Sequence, residues 1–291
     1  MILGKKQIKG QLYALLAGVL FGSVGFLVIQ VIDAGIPIPT ALFWRFLVAS
    51  VVLVPFLFSR SQIILNRKNV VITLITGVLL NGPYILFFYI ASRKIGLGLT
   101  TTIVFCFPIV VTLLAWITKS EVLGKRTIVA LASITIGLSF LYDEQNALNV
   151  FGALFAALAA IAYGVCIFAN KKYSSELPIY NSTFMICFGS TVFFLGISLL
   201  NGDMIIPNDA YTWINIVIAG VFCTLLPIIF FFKALQYISA VQISVLLTSE
   251  PLFSIFLAVV GLNEVINLKQ SIAIAIILIS IIMHQVMRKD A

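Results

Sequence analysis

Charge is what this chain has least of: only 10% of its 291 residues are Asp, Glu, Lys or Arg, against roughly 25% in an ordinary soluble domain. Such a chain cannot clothe itself in wetted groups, so most of its surface must meet lipid. Histidine is nearly absent; the single one, His284, excludes most metal clusters. The four cysteines, Cys106, Cys166, Cys187 and Cys223, lie inside apolar runs and form no CxxC pair. That leaves no disulfide framework and no zinc site to expect, and buried thiols of this kind act as small hydrophobes. Enzyme motifs are missing as well. There is no HExxH, no phosphate-cradling Gly-Lys loop and no Ser/His/Asp set, so neither catalysis nor a cofactor is expected. The loops are too short to hold a nucleotide-driven motor.

What the chain does have is hydrophobicity: 62% apolar residues and a mean hydropathy of +1.16. Crossing about 30 Å of hydrocarbon takes about 20 apolar residues in a helix. Runs of that length occur at 11–32, 38–58, 70–92, 96–118, 124–142, 149–170, 179–200, 211–235, 238–260 and 268–287. These ten runs predict an all-α polytopic membrane protein. None shows the period-two polarity of a transmembrane β-strand. The first run continues too far to be a cleaved signal peptide, so a retained first helix is expected.

The formal net charge is +8, but the basic residues form no patch that would suit nucleic acid. They stand in short clusters between the apolar runs. With the N-terminus in the cytoplasm, fourteen Lys and Arg fall on the inner side and three, Arg93, Lys94 and Lys269, on the outer side. Positive charge stays inside, so both termini are expected in the cytoplasm of a cell (inner or plasma) membrane. That requires an even number of spans.

The chain also repeats itself. At an offset of 143, Gly77 matches Gly220, Phe87-Phe88 matches Phe230-Phe231, Pro108 matches Pro251 and Glu121-Val122 matches Glu264-Val265. Across 77–136, 16 of 60 pairs are identical, where apolar bias alone would give roughly 10%. Near the start an offset of 142 pairs Gly10 with Gly152 and Gly22 with Gly164. The expected organisation is a short tail (1–10), a first repeat (11–142), a second repeat (149–287) and a short tail (288–291). Five spans per repeat is an odd number, so the two repeats enter the membrane from opposite sides. Inverted repeats favour two related conformations facing opposite sides.

Phe43-Trp44-Arg45-Phe46-Leu47 early in the second run, Pro108 with Glu121, and Glu250-Pro251 with Glu264 resemble the ten-helix, EamA-type members of the drug/metabolite transporter superfamily. The resemblance covers about 11 to 287. It implies a basket-like bundle around a central cavity, lined by helices 1–4 and 6–9, and transport of amino acids, metabolites or drugs, often outward.

Charged side chains inside a span are functional candidates by default, because burying them is costly. Glu250 lies about 16 Å into the ninth run by helical rise, and its repeat counterpart is Phe107. It either couples protons or anchors a substrate amine, or else is a structural carboxylate bonded to Thr248 or Ser249. Arg45, whose counterpart is Cys187, either grips a substrate carboxylate or pairs structurally; if Arg45 and Glu250 share a cavity, their replacements should be non-additive. Asn81-Gly82-Pro83-Tyr84 and Leu226-Pro227 interrupt matching helices. Pro83 and Pro227 should kink them, freeing carbonyls that Asn81, Tyr84 or a solute could meet. Tyr163 is a candidate cavity ring. Glu121 and Glu264 suit structural caps, and Lys233 and Asn170 suit the interface. The expected activity is secondary active transport of a small organic solute by alternating access, with export the first reading and import or exchange the second. A membrane enzyme or a channel are the rival classes.

Overall fold

Away from water a backbone must satisfy its own polar groups, and a single apolar segment can do that only as a helix. The computed structural model describes residues 2–58, 66–121, 124–140, 149–175, 177–262 and 268–286, and among them there is no strand. The helices are α1 (Ile2–Gly22), α2 (Val24–Asp33), α3 (Ile38–Phe58), α4 (Arg67–Thr76), α5 (Gly82–Ile95), α6 (Leu97–Val104), α7 (Phe107–Ile117), α8 (Lys125–Ser139), α9 (Val150–Ala169), α10 (Ile179–Asn201), α11 (Ala210–Gly220), α12 (Leu226–Leu235), α13 (Ala240–Leu247), α14 (Glu250–Leu262) and α15 (Leu268–Val286). Among the described residues, six helical stretches are long and apolar enough to cross a membrane: Ile38–Leu57, Arg67–Ile95, Leu99–Ile117, Val150–Ser174, Ile179–Asn201 and Ala210–Leu235. Shorter apolar helices occur at Thr127–Ser139, Ala240–Phe256 and Ser271–Met283. Large apolar side chains such as Phe151, Leu200 and Trp116 stand exposed, as a lipid-facing surface requires.

The interruptions have chemical causes. Pro83 and Pro227 carry no N–H, so the helix before each must find another bonding pattern. In both places it does so with a π-helical turn, Gly77–Asn81 and Val221–Leu225. The backbone N–H of Gly82 donates to the carbonyl of Gly77, and that of Leu226 to Val221. The predicted kinks are therefore widened turns lying just ahead of each proline. Two further breaks were not anticipated. The predicted fourth and ninth runs are each divided, at Phe105–Cys106 and at Thr248–Ser249, and these positions match at the repeat offset of 143.

The chain divides into two compact units, and neither is one repeat. Unit 1 comprises residues 1–83 and 169–238; unit 2 comprises 84–168 and 239–291. In unit 1, α3 packs along α10, its repeat mate. Thr40 meets Ser198, Phe46 stacks on Phe194 and Phe56 lies against Tyr180. The numbers rise on one helix as they fall on the other, so the pair is antiparallel. Its centre falls at Val48 and Ser190, which are themselves mates at an offset of 142. The α4 end crosses α10 where Gly77 and Gly189 bring backbone against backbone. Asp209 caps α11 by accepting the Thr212 N–H at 2.7 Å, and this bond holds its carboxyl below the usual aspartate range. Asn170 is buried in a further π-helical turn (Asn170–Ser174), where it accepts from Ser174 at 2.9 Å. Lys233 lies over the ring of Tyr13.

Unit 2 has a core of Ala91, Ile95, Val104, Ala156 and Ala159 against Phe87, Phe88 and Phe155. Its α13 opens with a reciprocal cap between Ser239 and Gln242. Glu121 accepts the Val241 N–H at 3.5 Å, a capping role at the same helix start; Glu264 lies outside the described residues. The repeat is legible in the packing of each unit taken separately. In unit 1 a Cβ on Gly10 would sit 2.7 Å from Tyr237 and 2.8 Å from Ile238. In unit 2 a Cβ on Gly152, the mate of Gly10, would sit 2.9 Å from Lys94 and 2.5 Å from Ile95, the mates of Tyr237 and Ile238.

Candidate functional site

Proline explains the two unexpected breaks. Pro108 and Pro251 cannot donate into the turn before them, but they suit the first turn of a new helix, where the donor would be unpaired anyway. Each therefore starts a half-helix: α7 at Phe107 and α14 at Glu250. A half-helix start inside a span presents unpaired N–H groups and a positive end. Paired interruptions of this kind are where solute and ion sites are built in repeat-containing carriers.

One half-helix start in unit 2, that of α7, reaches Tyr163 of α9. The Phe107 ring lies 4.4 Å from it, tilted by 51°. Tyr84 stacks on its other neighbourhood at 4.4 Å and 16°. The Glu250 carboxylate acts electrostatically on Tyr163. Tyr163 is 9% exposed, and its hydroxyl hydrogen-bonds to none of the described residues. Unit 2 thus stacks two of the residues singled out in the sequence, Tyr84 and Tyr163, and holds Glu250 within electrostatic reach of the latter.

The bonds that would make Glu250 merely structural are not formed. Thr248 donates its hydroxyl to the Val245 carbonyl at 2.6 Å. The Ser249 hydroxyl is enclosed and has no partner. Glu250 itself is partly exposed, and among the described residues no hydrogen bond or ion pair reaches its carboxylate. What favours its charge is the positive end of α14, whose first residue it is.

Arg45 and Asn81 belong to unit 1. The Asn81 amide is committed, donating to the Ser190 hydroxyl at 2.7 Å, and Ser190 donates in turn to Ile186 at 2.9 Å. Arg45 is 5% exposed, with its guanidinium 4.7 Å from the centre of the Phe46 ring. Among the described residues there is no group of three or more His, Cys, Asp or Glu that could hold a metal. Sequence reasoning missed Phe107 and the two helix breaks. The signal was present in the matched prolines Pro108 and Pro251.

Residues 8–142 and 150–284 each match the EamA-like transporter family. The chain belongs to that family. The two matched stretches meet the predicted repeats, 11–142 and 149–287, within a few residues. A solved structure described only as "Crystal structure of protein" superposes on the chain with a TM-score of 0.82, over 96% of this chain and 98% of that one. At 15% identity that likeness concerns the fold alone. No curated protein matches the chain by sequence. Membership in the EamA-like family makes this a multi-pass membrane protein of a small-solute transporter class, in contact with lipid along its apolar helices.

Proposed function

We propose that this EamA-like protein is a proton-coupled secondary transporter for a small organic solute, with Glu250 as the group that carries the proton. The observation behind this reading is the state of Glu250: a lone carboxylate inside an interrupted span, partly exposed, with no hydrogen bond from Thr248, Ser249 or any other described residue. It lies about 15 Å along the α13–α14 segment from Ala240 by helical rise, close to mid-depth. Such a group can be neutral while the carrier reorients and charged when it faces water, which links proton flux to solute flux. Tyr84, stacked on Tyr163 with the buried Phe107 behind it, supplies the wall against which a solute would rest.

The working cycle in this reading is alternating access through ten spans arranged as two inverted five-helix repeats, with export as the direction. The antiparallel packing of α3 on its own repeat mate α10 supports the inversion, because mates in a non-inverted duplication would point the same way through the membrane. The charge bias supports a cytoplasmic position for both termini. Reporter fusions after Asn66 and Lys171 should then read cytoplasmic, and fusions after Glu144 and Asp203 external. An external reading at Lys171 would remove the inversion.

The function itself is tested with purified protein in proteoliposomes under an imposed pH difference, screened against pools of amino acids, nucleotides and cofactors. At least one pool should accumulate against its gradient only when the pH difference is present. Accumulation that ignores the pH difference would replace coupled transport with facilitated diffusion or another driving ion.

A further inference from the structure

Arginine cannot shed its charge, since its guanidinium holds its proton at any accessible pH. Buried arginine is accordingly paired in nearly all proteins. Arg45 is buried, and no described residue pairs with it. It is 5% exposed, its Nε is fully enclosed without a partner, and among the described residues it forms no hydrogen bond or ion pair. Within unit 1 its guanidinium lies over one aromatic face and within electrostatic reach of two thiols. Phe46 lies beneath the guanidinium at 4.7 Å, and the positive charge acts on Cys187 and Cys223. Cys223 is itself 3.2 Å from the Ser23 hydroxyl. The carboxylates of unit 1 among the described residues are Asp33, Asp203 and Asp209, and none pairs with it. Asp203 is tied towards the same end of α3 through its backbone carbonyl, which accepts from Thr40 at 2.8 Å, yet it too forms no ion pair with Arg45.

A second donor without an acceptor lies on the helix packed against α3. The Asn215 amide nitrogen of α11 is enclosed and unpartnered. Five residues further along α11, Gly220 packs on the Arg45 backbone, where an added Cβ would meet the carbonyl at 2.9 Å. Two enclosed donors on adjoining helices, one permanently charged, have no acceptor among the described residues, and the enclosed Asp203 Oδ1, itself without a partner there, makes no ion pair with Arg45. Arg45 stands three residues, about 4.5 Å, from the centre of the α3–α10 pair and seven residues, about 10 Å, from the start of α3.

We infer that Arg45 is the binding site for a monovalent carboxylate. A carboxylate fits for two reasons. The guanidinium fork matches its two oxygens, and a single negative charge neutralises the single positive one. The other Lys and Arg of unit 1 among the described residues, at 5, 6, 9, 67, 68, 171, 172 and 233, stand at helix ends, so a polyanion would find only one counter-charge here. The binding is measured without transport.

The test uses the purified full chain in nanodiscs, titrated at constant ionic strength with sodium acetate, sodium chloride or ethylammonium chloride while the thermal midpoint is followed. Acetate should raise the midpoint saturably and chloride should do so far less. Ethylammonium should have no effect of its own beyond that of its chloride. Arg45→Gln should weaken the acetate half-saturation by roughly tenfold to a hundredfold, the range set by charge-assisted hydrogen bonds. Arg45→Lys, a point charge without the fork, should fall between. If the Gln variant does not fold, phenylglyoxal labelling of the unaltered protein decides, since acetate should slow modification at Arg45 several-fold and leave Arg67 and Arg93 unchanged. An acetate effect that persists in Arg45→Gln, equal effects of acetate and chloride, or unslowed labelling would each overturn the assignment. A failed proteoliposome screen with intact acetate binding would count against coupled transport and leave this site standing.

Discussion

Glu250→Gln should abolish pH-driven solute accumulation in proteoliposomes while leaving solute-for-solute exchange measurable. Glutamine preserves the size of the side chain and can still hydrogen-bond, but it cannot titrate. If the carrier must reorient with Glu250 neutral, the ionised form faces the penalty for a charged side chain near a helix centre, about 2.5–3.5 kcal/mol. That corresponds to a slowing of roughly two orders of magnitude. The penalty ties reorientation to proton binding, and glutamine removes both the penalty and the tie. Exchange needs no net proton movement and so survives. The outcome that would sink the proposal is a Gln variant that still concentrates solute when only a pH difference is applied. In that case the carboxylate serves the start of α14 and the coupling lies elsewhere.

The surroundings of Glu250 sharpen this expectation. Had Thr248 or Ser249 donated to the carboxylate, Gln would have replaced one bonded group by another, and a loss of coupling could have reflected altered packing. With the Thr248 hydroxyl turned to Val245 and the Ser249 hydroxyl unpartnered, the exchange of oxygen for nitrogen breaks no described hydrogen bond.

Much of this fold could be read from the chain because lipid simplifies the rules. A run of apolar residues has to be a helix, and α3, α10 and the Ala210–Leu235 stretch fall within a residue or two of the runs predicted for them. The duplication was equally plain, since Gly10 and Gly152, or Gly77 and Gly220, are identities that recur in packing. Local departures from the helix were harder to place. Pro83 and Pro227 signalled irregularity, but whether a helix answers a proline with a kink or a widened turn depends on what its neighbours satisfy. At Pro108 and Pro251 the proline ring fits the first turn of a new helix, so the break falls just upstream of it, among residues with no special signature of their own.

The site was legible in part for a related reason. Charge inside a span is rare enough that Arg45 and Glu250 drew attention without any structure. Tyr84 and Tyr163 were visible only as separate aromatics, and nothing in the spacing of two distant helices says that their rings lie 4.4 Å apart. Phe107 was passed over as the apolar counterpart of Glu250. Its place beside Tyr163 follows from the half-helix that Pro108 starts, which is tertiary information.

The largest stability effect is expected at Gly189. A methyl group there would lie 2.6 Å from the Leu74 carbonyl oxygen, 3.0 Å from the Gly77 Cα and 3.0 Å from the Val78 nitrogen, all backbone atoms. The reciprocal approach is as tight, with a Cβ on Gly77 meeting the Ile186 carbonyl oxygen at 2.8 Å. Side chains can rotate away from an intruding methyl; two helix backbones can only separate. Helices in lipid gain little from hydrophobic association and depend on such close approach for their packing. Gly189→Ala should therefore lower unfolding free energy by about 1–3 kcal/mol, with up to about 1 kcal/mol more if separation stretches the adjacent Asn81–Ser190 hydrogen bond. Gly196→Ala, on the same helix, is the control. No atom lies within 4 Å of its would-be Cβ, so only helix propensity operates, and alanine should be neutral or stabilising by about 0.5–1 kcal/mol. Thermal or denaturant unfolding in nanodiscs compares the two directly. Equal midpoints for the two alanine variants would mean that α10 and the Gly77 turn are not in backbone contact, and the crossing described for unit 1 would be wrong. A difference that disappears when Asn81 is also replaced by alanine would assign the loss to the hydrogen bond and not to the clash.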